Sequence, residues 1–117
     1  MDAAERLRDL YADFNVRDVD AVLAATTKDV DWPNAWEGGR AIGQAAVRDY
    51  WARQWAAIDP QVQPEAIRSL ADGRIEVTVH QIVRDLAGKV LTDGHVRHVY
   101  TLRDGLVERM EVEEGDE

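Results

Sequence analysis

Cysteine is absent from the 117 residues, which removes disulfides, thiol nucleophiles and thiolate metal sites together. Basic residues are few, 14 against 23 acids, for a formal net charge of -9 at pH 7. Such a surface repels a phosphate backbone, so nucleic acid is not an expected partner. The acidic excess is heaviest at Glu111, Glu113, Glu114, Asp116 and Glu117, which read as a solvated end. No apolar run approaches the roughly 20 residues needed to cross a bilayer, and the opening MDAAERLRDL reads as charged helix, not signal peptide. The expectation is a cytoplasmic protein with no membrane partner. Histidine is scarce too, at positions 80, 95 and 98 only. None has HExxH spacing, and His95 and His98 on one strand would point to opposite faces. No metal or other cofactor is expected.

What is present describes an ordinary globular domain. Hydrophobic residues make up 45% and charged residues 32%, and a chain of this length buries roughly two thirds of its unfolded surface. A single domain over residues 1–117 is expected. Leu7, Leu10, Tyr11 and Phe14 recur at helical spacing over residues 2–15. After a break at Val16 and Arg17, Asp18 is a good N-cap for a short second helix with Val19, Val22 and Leu23 as its stripe, ending near Thr26 and Thr27. DVDWPNAW, residues 29–36, alternates as a short strand that Pro33 confines to an edge or an end. Gly38, Gly39 and Gly43 mark a loop, and a third helix follows to about Ile58 with Val47, Tyr50, Trp51, Gln54 and Trp55 on its wide face. Asp59-Pro60 ends it.

Beyond Pro60 the period changes to two. Strands are expected at residues 62–70, 74–83, 90–102 and 106–112, joined by Asp72-Gly73, Ala87-Gly88 and Asp104-Gly105. The last two strands, HVRHVYTLRDGLVERMEVEE, carry the most chemistry. Alternation puts Val96, His98, Tyr100 and Leu102 on one face, and Leu106, Glu108, Met110 and Val112 on one face of the partner strand. An imidazole and a phenol among aliphatic side chains would line a pocket with a few polar groups. Helices first and antiparallel strands after give an α+β architecture with three helices packed on a curved sheet.

This order, carried by LYADFNVRDVDAVLAATTKDVDW, GGRAIGQAAVRDYW and HVYTLRDGLVERMEV, resembles the SnoaL-like proteins of the nuclear-transport-factor-like superfamily. The resemblance covers nearly the whole chain. It implies a cone-shaped α+β barrel with a pocket between sheet and long helix, and a homodimer through the outer sheet face, where Arg97, Val99 and Thr101 would lie. Members of the family include isomerases, cyclases, epoxide hydrolases and silent binders, so function does not follow from fold. In ketosteroid isomerase-like relatives an aspartate closing the first strand is the base, and here Asn34 takes its place. An amide cannot abstract a proton at neutral pH. The oxyanion-hole tyrosine of the first helix falls at Leu10, one residue before Tyr11, and its companion acid at His98. Steroid isomerisation is therefore not expected. Of the epoxide hydrolases' tyrosine and asparagine, Trp32 and Asn34 keep only the asparagine and an aromatic, and for a cyclase the inward acid best placed is Glu108.

The site expected on these grounds binds a small hydrophobic molecule. His98, Asn34 and Tyr100 form its polar, candidate catalytic end, with acid-base work by His98 on a carbonyl or cyclic compound and hydrogen bonds from Tyr100 and Asn34. Tyr11, Phe14, Trp32, Trp36, Trp51, Trp55, Gln81 and Met110 are its candidate ligand-binding residues. The competing reading is a non-catalytic binder or a dimeric interaction module. There His98 is merely satisfied inside the core, Asn34 caps the turn after Pro33, and the tryptophans fill the pocket.

Overall fold

A computed structural model of the chain describes residues 2–34 and 36–114, so the acidic end at Asp116 and Glu117 lies outside the described residues. The elements are α1 (Ala3–Asn15), α2 (Val19–Ala24), β1 (Thr26–Pro33), β2 (Arg40–Ile42), α3 (Gln44–Ala57), β3 (Ile58–Ser69), β4 (Ile75–Asp85), β5 (Val90–Arg103) and β6 (Leu106–Glu114). The Asp2 carboxylate caps α1 by accepting the Glu5 N–H at 2.8 Å, and Asp18 caps α2 through the Ala21 N–H at 3.2 Å. Helix α2 stops two residues earlier than its sequence suggests. The β-branched Thr26 and Thr27 instead open β1, and the Thr26 hydroxyl donates to the Leu23 carbonyl at 2.7 Å, satisfying one of the helix's unpaired acceptors.

The sheet order is β2-β1-β6-β5-β4-β3. All neighbours are antiparallel except β1 and β6, which run parallel. The sheet is curved and unclosed, with β2 and β3 as its edges, and α3 packs across β1, β2 and β3. The expected α+β architecture is thus present, in an open form. Strand β3 starts at Ile58, earlier than the expected residue 62, and contains Pro60 and Pro64. An edge tolerates both, because a missing N–H there need not cost a ladder bond.

Two features differ from the sequence reading. Strand β2 was expected to be loop; it pairs Ala41 with Trp32 and Arg40 with Pro33. Three residues between glycines carry too little alternation to announce a strand. Arg40 anchors it: Nε donates to the Asp31 carboxylate at 2.6 Å, and Nη2 donates to the Met110 carbonyl at 2.7 Å. The same carboxylate also accepts from Arg109. The second difference is a bulge in the β5–β6 pair. Thr101 faces Arg109 but Leu102 faces Val107, so Glu108 has no counterpart. Val107 and Met110 are consequently both buried, at 2% and 4% exposure, although three residues apart. The expected shared face of Leu106, Glu108, Met110 and Val112 is therefore broken. Leu106 is exposed, and Glu108, the acid expected inward, accepts from Arg103 at the surface at 3.3 Å.

The β5–β6 turn has positive φ at both central residues, Asp104 at 54° and Gly105 at 81°, the twist that a two-residue hairpin needs. A Cβ on Gly105 would lie 2.3 Å from Arg6 Nη1, which donates to the Gly105 carbonyl at 3.2 Å. Gly105→Ala is expected to cost about 1 kcal/mol and lower Tm by a few degrees. Thermal denaturation reads this directly, and an unchanged Tm would contradict it.

Candidate functional site

Alternation on β5 turns His98 and Tyr100 towards the helices, and the α1 stripe brings Tyr11 to meet them. The Tyr11 hydroxyl lies 2.7 Å from His98 Nδ1, and the Tyr100 hydroxyl donates to the Tyr11 oxygen at 2.7 Å. All three are buried, with exposures of 2%, 8% and 0% for Tyr11, His98 and Tyr100. Burial pushes the His98 imidazole down to about 4, so the ring is neutral at pH 7. Burial also raises the Tyr11 phenol, with the neighbouring Tyr100 adding to it. Burial raises Tyr100 likewise, and both stay protonated.

Those protonation states fix the sense of the chain. Tyr100 is wholly buried with Tyr11 as its partner, so its O–H must donate there. The Tyr11 O–H is then left to donate to Nδ1, and the neutral imidazole carries its proton on Nε2. The opposite sense would strand the Tyr100 proton in the interior, at about 1–3 kcal/mol. Among the described residues Nε2 meets no protein partner. The relay therefore ends on one N–H, on a side chain that lines a cavity.

That cavity has a volume of about 100 Å³. Of the expected residues, Tyr11, Phe14, Trp32, Gln81, His98, Tyr100 and Met110 line it. Trp51 and Trp55 stand behind the lining instead of in it. Trp51 meets Trp32 and Phe14 edge-on at 5.5 Å and stacks on Trp55 at 5.6 Å. Trp36 is 42% exposed and takes no part in the lining. Asn34 is also elsewhere, and its expected place beside His98 is corrected: its Oδ1 accepts the Glu37 N–H at 2.8 Å, while its Nδ2 donates to the Glu37 carboxylate at 2.9 Å. That is a side chain closing its own turn, the usual work of an asparagine after a strand. Arg53, which donates to Glu37 through Nε at 2.8 Å, completes this surface group and, with Asn34, holds the Glu37 carboxyl down to about 2.

Sequence reasoning left Tyr50, Gln54, Pro60, Val62 and Val112 out of the site, and all of them line the cavity. Two had a signal. Tyr50 and Gln54 stand on the wide face of α3, where a glutamine is the unusual residue, and it donates to the Tyr50 hydroxyl at 3.2 Å. The helix hydroxyl that reaches His98 is that of Tyr11, one residue after Leu10, where the resemblance places the family's tyrosine. A wider cleft of about 400 Å³ runs between α1, α2 and the β5–β6 turn, but neither His98 nor Tyr100 borders it.

The open, curved, mostly antiparallel sheet packed against helices is the fold of nuclear-transport-factor-like and cystatin-fold proteins. The family model described as SnoaL-like domain matches residues 7–110, and the chain belongs to that family. Comparison with curated protein sequences finds no match. Among solved structures, TerC co-crystallised with polyporic acid is similar with a TM-score of 0.83 and 25% identity, over 97% of this chain and 91% of that one. An NTF2-like protein of unknown function from Burkholderia pseudomallei gives a TM-score of 0.84 at 23% identity, over 98% of this chain and 92% of its own. A candidate polyketide cyclase from Xanthomonas campestris gives 0.76 at 25% identity, over 94% and 87%. No helix among the described residues is long and apolar enough to cross a membrane.

Proposed function

We propose that this SnoaL-like domain binds a small, mainly apolar molecule in its cavity and recognises one acceptor oxygen on it, a carbonyl above all, with the Nε2–H of His98. The observation that carries this is the relay from Tyr100 through Tyr11 to His98, two contacts of 2.7 Å that end on one unused donor. Its other support is that a similar protein was crystallised with a small organic molecule, polyporic acid. The role differs from the one expected of His98 on sequence. A ring held neutral down to about pH 4 with its outer nitrogen already protonated gives a hydrogen bond and does not take a proton. In an isomerase- or cyclase-type reaction that donor would stabilise the oxygen on which charge gathers, and the two phenols behind it would share the load. No covalent intermediate is involved.

A cavity of about 100 Å³ is smaller than the roughly 300–1,000 Å³ of sites for drug-sized ligands. A larger ligand must therefore displace part of the lining. That observation is what favours the second reading, a filled, non-catalytic module. The two separate in a thermal-shift screen of cyclic and aromatic ketones and lactones, each beside the hydrocarbon lacking the oxygen. A ligand at about a hundred times its Kd adds roughly 2.7 kcal/mol to stability. The ketone is expected to outbind its hydrocarbon by about tenfold, one hydrogen bond's worth, and to lose that margin in His98→Ala. Equal shifts for ketone and hydrocarbon, or none for either, would favour the filled module.

Pairing of two copies through the outer sheet face belongs to the same proposal. Arg97 and Thr101 are half-buried there, while Val99 is already 3% exposed between its register neighbours Glu76 and Glu111. Sedimentation at twice the 13.2 kDa chain mass is the expected result, and a monomer at micromolar concentration would overturn it.

Burial of His98 also makes stability depend on pH. The unfolded imidazole protonates near 6.5 and the folded one near 4. Between those values the unfolded chain holds the extra proton, so stability rises with pH. The contribution is complete above about pH 6.5 and is lost as pH falls towards 4, by about 3 kcal/mol in all. His98→Asn should flatten the wild-type slope in this window when denaturation midpoints are compared. Parallel slopes for the two proteins would count against a buried neutral imidazole.

A further inference from the structure

On the face of the sheet turned away from His98, His80 and His95 meet across β4 and β5. They are register partners, and their rings stack nearly parallel, 4.9 Å apart at 18°. A third group reaches them from the neighbouring strand. The β3–β4 register shifts between Pro64 and Ala66, which leaves Glu65 without a counterpart on β4, and its carboxylate lies 2.8 Å from His95 Nε2. The Asp93 carboxylate lies 2.6 Å from His80 Nε2. One ligand atom from each of Glu65, His80 and His95 falls within 4.8 Å of the others. The expectation against a metal weighed histidines along a single strand, and spacing of that kind does not register a pair that meets across two strands.

We propose that Glu65, His80 and His95 bind a divalent ion of the zinc class on the outer face of the sheet, with Asp93 as the partner that orients His80. The competing reading is two separate histidine–carboxylate pairs. Three observations favour the ion. Two imidazoles and one carboxylate make the three-ligand protein set that zinc takes when a fourth position is left to a non-protein ligand. The rings stack, and one nitrogen of each lies within 4.8 Å of the other and of a Glu65 oxygen, close enough for a single cation to draw all three together. The spread also needs little adjustment. Metal–ligand bonds of about 2.0–2.2 Å set ligand atoms roughly 3.4 Å apart, and the side chains of Glu65, His80 and His95 are 45%, 32% and 49% exposed, with room to close in. The two nitrogen donors select against magnesium and calcium, which prefer all-oxygen shells.

The test titrates the folded chain with Zn²⁺ by calorimetry and with Co²⁺ by its visible absorption, with Mg²⁺ as the contrast. Wild type is expected to take one Zn²⁺ per chain, at least about a hundredfold tighter than Mg²⁺. It should also give the visible bands of tetrahedral Co²⁺. Changing even a residue that only orients a ligand costs roughly 10–100-fold in affinity, so His80→Ala and His95→Ala should each weaken binding by about tenfold or more, and Glu65→Gln should weaken it measurably. The double variant His80→Ala/His95→Ala should lose the Co²⁺ bands while keeping the metal-free Tm of wild type, since both side chains are partly exposed. The proposal is overturned if the double variant binds Zn²⁺ as tightly as wild type, or if wild type binds no Zn²⁺ below about 1 mM, a free energy of roughly −4 kcal/mol.

Discussion

Tyr11→Phe is expected to lower Tm by about 10 °C and to abolish the preference of the cavity for a ketone over its hydrocarbon. The substitution keeps the ring and removes one oxygen, yet that oxygen serves two neighbours. The Tyr100 O–H loses its acceptor and His98 Nδ1 loses its donor, both at 2.7 Å and both deep in the interior. Each stranded group costs about 1–3 kcal/mol, so a loss of about 2–4 kcal/mol is predicted, several degrees per kcal/mol in a domain of this size. The effect on recognition follows from the tautomer. With Nδ1 released, the imidazole proton is no longer held on Nε2, and the donor facing the ligand is lost in part of the population. Tyr100→Phe makes the contrast. It removes only the far end of the relay and leaves the Tyr11 O–H to hold Nδ1, so it should cost stability but retain most of the ketone preference. Urea denaturation and ligand titration of the two variants separate these effects, and equal behaviour of both in binding would contradict the assigned sense of the chain.

The largest loss of stability is expected from Trp51→Ala. Trp51 is 1% exposed on the inner face of α3. It touches Phe14 and Trp32 edge-on and Trp55 face-on, with centroids 5.5–5.6 Å away, so it ties α1, β1 and α3 together. Removing an indole from such a place costs about 3–5 kcal/mol through lost transfer energy and the hole left behind. Against a typical total of about 5–15 kcal/mol, that is a large share. Trp55→Ala provides the comparison. That ring is only partly buried, under the Arg17 guanidinium at 4.9 Å, and its loss should cost clearly less. Similar midpoints for the two variants in chemical denaturation would show that Trp51 is not the keystone described.

Much of this architecture is legible in the sequence because its signals are local. The α1 stripe of Leu7, Leu10 and Tyr11 is set by a period of 3.6, and the Asp104-Gly105 turn by a backbone conformation that few residue pairs accept. His98 and Tyr100 were placed inward by simple alternation, and no bulge intervenes between them. Where alternation failed, a single extra residue was the reason. Glu108 interrupts β6 and sends Val107 inward and itself outward, and no feature of LVERMEV announces it. Partnerships between distant residues were illegible for a different reason. Tyr11 and His98 are 87 residues apart, and His80 meets His95 only through the β4–β5 register. Asn34 was misplaced because an alignment gives a position and not a direction: its side chain turns back on Glu37, three residues on. Trp36 sits two residues beyond it, and its ring is turned to solvent, not to the cavity.

The most direct test of the relay is nitrogen NMR of the His98 ring in the free protein, assigned by comparison with His98→Asn. The account predicts a neutral imidazole with its proton on Nε2, Nδ1 accepting a hydrogen bond, and no titration between about pH 5.5 and 8, since burial holds the ring down to about 4. A proton on Nδ1, or a ring that titrates near 6.5, would contradict it and return His98 to the role of a proton carrier.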